Sequence, residues 1–148
     1  MPAMRAAMRG LTLALACACV LALAGCGSSS SSGNSAARST ACARVVPASA
    51  SYKAATRALS LRFFNKTLVN QSLAAIAGLQ SATEKLARAT TGAQHDQAVQ
   101  FAGALARQKV TIAAVVAHDA ATARKSSKGL NPALETGRTQ LSRICPGA

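Results

Sequence analysis

After Pro47, apolar residues recur at intervals of three and four, the period of an α-helix rather than a strand. Tyr52, Ala55, Leu59 and Phe63 form one stripe, and Leu61, Phe64 and Leu68 form a second on a different side. The phase then moves into Leu73, Ile76, Leu79 and Leu86. A slip between Asn65 and Asn70 requires either a kink in one long helix or a turn between two, and both stay open. Thr90-Thr91-Gly92 is a cleaner break. Val99, Ala102, Leu105, Ile112 and Val116 predict a third helix reaching to about Lys125, with Lys128-Gly129 ending it. Asn131-Pro132 then opens a last short helix as N-cap and first helical residue, running to Arg143. Nothing alternates polar and apolar over a useful length. The expected fold is all-α, an antiparallel bundle of three to four helices.

The N-terminal pattern is different. Arg5 and Arg9 precede residues 11–24, fourteen positions without a charge. A membrane-spanning helix needs roughly 20 apolar residues, whereas this length suits the apolar core of a secretory signal peptide. The run ends in Leu23-Ala24-Gly25-Cys26, which resembles the lipobox of bacterial lipoprotein precursors: an aliphatic residue, two small residues, then cysteine. The resemblance covers the first 26 residues only. It implies a signal peptide over residues 1–25, cleavage before Cys26, and a diacylglyceryl group on the Cys26 thiol. The mature chain would be extracytoplasmic, lipid-anchored to a bacterial membrane. Two acyl chains suffice for stable attachment, at about 0.8 kcal/mol per buried CH₂.

With that processing, the five cysteines resolve. Cys17 and Cys19 leave with the signal peptide, and Cys26 is consumed by lipid. Cys42 and Cys145 remain, near the two ends of the mature domain, and in an oxidising compartment they are expected to pair as a disulfide. Residues 26–41 begin Cys-Gly-Ser-Ser-Ser-Ser-Ser-Gly-Asn and are expected to form a flexible linker. Residues 42–148 would be the helical domain.

Composition makes the bridge matter more. The chain of 148 residues contains 36 alanines, three phenylalanines, one tyrosine and no tryptophan. A core drawn mostly from alanine buries little area per residue, so folding leans on the clamp.

Seventeen basic residues oppose four acidic ones. The mature part keeps fifteen of the basic residues and all four acidic ones, Glu84, Asp96, Asp119 and Glu135. Lys53, Arg57, Arg62 and Lys66 fall on the first predicted helix, and Arg124, Lys125 and Lys128 cluster at the end of the third. A basic body held at a membrane is drawn to anionic lipid or an acidic envelope polymer. Nucleic acid is not an expected partner: recognition motifs are absent, stacking aromatics are scarce, and export argues against it.

Other constellations are weaker. His95-Asp96 and His118-Asp119 suggest acid–base or metal chemistry, but 23 residues of continuous helix hold the histidines about 35 Å apart. Glu84–Arg88 and Glu135–Arg138 have the spacing of surface helix pairs. Asn65-Lys66-Thr67 and Asn70-Gln71-Ser72 match the glycosylation acceptor, read here as coincidence in a chain of bacterial type. No catalytic residue, metal ligand or cofactor is expected. The function expected is a structural or interaction protein of the cell envelope. The alternative is a small-ligand carrier with an interhelical pocket lined by Phe63, Phe64 and Ile112.

Overall fold

The computed structural model describes residues 32–61 and 65–148, with side chains from Asn34 onward. Five helices follow in order: α1 (Ser32–Leu61), α2 (Lys66–Arg88), α3 (Gly92–Val116), α4 (Ala120–Ser127) and α5 (Leu130–Ile144). Among the described residues there is no strand. The expected three to four helices are therefore five: four long ones and a short α4 that breaks the predicted third helix.

Residues 32–41, expected to be flexible, are helical and begin α1. Alanines and Arg38 favour helix there, and the stripe Ala41, Val45, Ser49, Tyr52 and Leu59 is buried along one face. Pro47 lies inside the helix rather than before it. It removes the hydrogen bond to the Ala43 carbonyl. Both residues are exposed, so water can satisfy that oxygen.

The open question near Asn65 resolves as a turn. Asn65 is the N-cap of α2, its Oδ1 accepting from the Leu68 N–H at 3.1 Å, which gives this residue a folding role. Lys66 accordingly opens α2 instead of lying on α1. Leu61, placed in an apolar stripe by its spacing, is 78% exposed.

α2 lies between α1 and α3, and α3 also packs against α4 and α5. Arg38 meets Gln94 and Tyr52 meets Gln108, so α1 and α3 run parallel, with α2 returning between them. Ser72 Oγ donates to the Ala55 carbonyl at 3.0 Å, satisfying a buried hydroxyl across α1 and α2. α5 runs back along α3, with Gly137 against Phe101. That route brings Cys145 to Cys42 at disulfide distance, Cα–Cα 5.2 Å, across 103 residues.

The core centres on Val45, Ile76, Leu79, Leu86, Phe101 and Leu105. The stripe Ile76, Leu79, Leu86 is buried as its spacing predicts, with Leu73 half-buried beside it. The α3 stripe keeps only part of its expected phase. Ala102, Leu105 and Ile112 are buried as predicted, but Val99 and Val116 are 49% and 50% exposed, and Ala98, Phe101 and Ala104 take the remaining inward positions. Alanines on both sides of α3 leave its phase almost unmarked in the sequence; packing of the one large aromatic side chain decides it.

Candidate functional site

The basic patch is built on the turn that separates α3 from α4. Ala117 caps α3 and His118 takes a left-handed conformation, φ 58°. The His118 N–H donates to the Val115 carbonyl at 3.1 Å, and the Asp119 N–H to that of Ala114 at 2.8 Å. These two bonds are a Schellman motif, which closes a helix by satisfying its last carbonyls. Asp119 then caps α4, its carboxylate accepting from the Thr122 N–H at 3.0 Å. Hydrogen bonding from Thr122, side chain first and backbone second, holds the Asp119 carboxyl below its ordinary value of 3.8.

His118-Asp119 is thus a stop and a start. His95, at the other end of α3, stands 2.8 Å through Nδ1 from the Ala87 carbonyl. A carbonyl only accepts, so Nδ1 carries the proton and the ring closes the end of α2. Helix ends account for His95, His118 and Asp119, in line with the weak sequence signal for acid–base chemistry there. Among the described residues, no three His, Cys, Asp or Glu side chains gather as a metal set would.

Arg124, Lys125 and Lys128 are all exposed, on α4 and at its C-cap. No residue of α4 is buried. Polar bonds hold it instead: Thr111 Oγ1 lies 2.9 Å from Ser126 Oγ, and Arg107 Nη1 donates to the Lys128 carbonyl at 3.5 Å. Arg107 therefore adjoins the patch, although its sequence position suggests an isolated charge. Only the turn back from α3 to α4 reveals it. Beside Arg124, a surface groove of about 340 Å³ is lined by Val115, His118, Ala120 and Ala123. The patch thus offers cations next to an apolar strip.

The surface pairs expected by spacing are not formed. Glu84 Oε1 accepts from Gln80 Nε2 at 2.9 Å, and among the described residues neither Glu84–Arg88 nor Glu135–Arg138 is an ion pair. Such exposed pairs contribute only a few tenths of a kcal/mol, too little to hold two long side chains together.

Ile112, expected to line a ligand pocket, is packed into the core. Phe63 and Phe64 lie outside the described residues, as do Arg62, the signal segment and Cys26. No described helix is long and apolar enough to cross a membrane. Comparison with known proteins gives no match to a family model, a curated protein or a solved structure.

Proposed function

We propose that this chain is a lipid-anchored, extracytoplasmic protein of a bacterial envelope, in which a basic helical bundle serves as an interaction module rather than an enzyme. The lipobox-like Leu23-Ala24-Gly25-Cys26 supports the anchor. The Cys42–Cys145 geometry supports a disulfide closed after export. The interaction reading is carried by one observation: Arg124, Lys125, Lys128 and Arg107 gather on an exposed surface, and no ion pair engages them among the described residues. Like charges held together repel one another, and an anionic partner relieves that cost.

Two measurements test this reading. Metabolic labelling with a fatty-acid analogue should mark the wild-type chain and leave Cys26→Ala unlabelled and released; an unlabelled wild type refutes the anchor. Co-sedimentation of the mature chain with an acidic polymer should weaken steeply as salt rises, because exposed charges are screened beyond about 8 Å at 0.15 M. Reversing Arg124 and Lys125 together should weaken it further, and Arg107→Glu should do so to a lesser degree. Lys53, exposed on α1, is the better control site. Binding that is absent at low salt, or indifferent to salt, would reduce the charge to a solubility feature.

A further inference from the structure

A second basic surface lies between α1 and α2, beside the disulfide. Arg44 on α1 and Lys85 and Arg88 on α2 surround a groove of about 390 Å³ floored by Ala37, Ala41 and Ala89. A smaller groove of about 200 Å³ shares Ala89 and adds Arg38, which reaches Gln94 at 3.4 Å. No carboxylate lines either groove. The two acids nearest in sequence are Glu84, turned to Gln80, and Asp96, on the first turns of α3.

Local helix chemistry accounts for part of this. Lys85 and Arg88 occupy the last turn of α2, where cations complement the helix dipole. It does not account for Arg44, which stands in the middle of α1 and comes to the same groove only through packing. Three cations around an alanine floor repel one another, and a bound anion offsets that repulsion. Among the described residues no ion pair engages any of the three.

Position supplies the partner. α1 begins at Ser32, six residues after Cys26. Six residues span at most about 20 Å, and Arg38 and Arg44 follow Ser32 by about 9 and 18 Å of helix. This groove is therefore the basic surface held close to the anchor. The α4 patch stands further along α3: from Gln94 it is about 20 Å to Arg107, beside Lys128, and about 32 Å to Val115, beside Arg124.

Resting on the lipid-anchor reading, we infer that the groove of Arg44, Lys85 and Arg88 seats the phosphate of an anionic phospholipid headgroup in the anchoring membrane. The seat orients the domain with its disulfide end down and the α4 patch outward. Arg38 lies along the rim to meet a neighbouring headgroup.

The chain contains no tryptophan, so one introduced at exposed Ala36 or exposed Ala121 reports its own surroundings. The lipidated mature protein is reconstituted in phosphatidylcholine vesicles with and without a third of phosphatidylglycerol, each containing a headgroup-labelled quencher lipid. Mass spectrometry for the diacylglyceryl group on Cys26 is read first: its absence overturns the anchor and this inference together. With the lipid present, phosphatidylglycerol should raise quenching at Ala36→Trp relative to Ala121→Trp several-fold. Each basic residue near an anionic surface contributes roughly a fivefold change in binding, so Arg44→Glu with Arg88→Glu should return the ratio to its neutral-vesicle value. So should about 1 M salt, where screening acts beyond about 3 Å. Arg44→Gln with Arg88→Gln, checked for unchanged helicity, guards against misfolding and should lower the ratio by less. Arg124→Glu with Lys125→Glu should leave it unchanged. A ratio indifferent to phosphatidylglycerol, or abolished by the α4 reversals instead, overturns the inference while leaving the anchor standing. Loss of the ratio on adding millimolar inorganic phosphate would assign the groove to a free anion and overturn the headgroup assignment.

Discussion

α2 and α4 are both alanine-containing helices with basic residues in their last turns, yet they are held by different forces. α2 buries eight side chains, among them Ile76, Leu79 and Leu86, and each of those three large residues contributes roughly 1.5–3 kcal/mol. α4 buries none and depends on the Asp119 cap, the Thr111–Ser126 contact and the Arg107 bond to the Lys128 carbonyl. Packing gives a helix stability that persists until the whole domain unfolds. Solvent-exposed polar bonds give stability that can be lost locally. The outward basic patch stands on the segment that can open on its own, whereas Lys85 and Arg88 stand on the firm one.

The largest break in that contrast should come from the core beside α5. Phe101→Ala should destabilise the domain by about 3–5 kcal/mol, read as a fall in the denaturant midpoint with α2 and α4 lost together. A smaller effect of the same kind is expected at Gly137, where an added Cβ would collide with Phe101 at Cδ2 and Cγ. Gly137→Ala should cost about 1–3 kcal/mol. A neutral Gly137→Ala would mean that α5 is not seated on α3 as described.

Reduction of Cys42–Cys145 should cost about 2–5 kcal/mol, measured as the denaturant midpoint with and without reductant. The whole domain should respond, because the bridge ties the first helix to the end of the last. Equal midpoints, or two freely alkylated thiols in the exported protein, would refute the bridge.

His118→Gly should stabilise by about 1 kcal/mol, since glycine adopts the left-handed conformation at little cost. Hydrogen exchange should slow at the α3–α4 turn and remain unchanged within α2. The smallest effect is the pH response of the cap. The Asp119 carboxyl is lowered on folding, so its contribution is complete above the ordinary value of 3.8 and is lost as pH falls through the folded value. Protection of the α4 amides, measured against their intrinsic exchange rates at each pH, should therefore fall on acidification before that of α2. Asp119→Ala should remove the difference.

What was legible in the sequence follows the size of the side chains. The α2 face could be read because leucines and an isoleucine mark it against alanine. The α3 face could be read only in part: Ala102, Leu105 and Ile112 are buried as predicted, but Ala98 and Ala104 give no phase and Phe101 rather than Val99 takes the inward position. The break at His118 carries neither glycine nor proline, and its one local signal is Asp119, an N-cap residue type. The start of α5 was offset for a related reason: Gly129 in the left-handed conformation is its N-cap, and Pro132 is the third helical residue. There its missing N–H has no intrahelical partner to lose.

The sequence by itself determined the helical class, the Thr90–Gly92 break, the cysteine pair and the excess of positive charge, and it located near Asn65 a slip that only the structure resolved as a turn. Each of these depends on local propensity or on simple counting. Tertiary structure alone decided which distant residues join the concentrations of charge. Arg107 joins Lys128 across the α3–α4 turn, and Arg44 faces Lys85 and Arg88 between α1 and α2. Residues so far apart in the chain meet only when helices dock. In a protein this rich in alanine, the few large side chains that set the docking are too sparse to announce it beforehand.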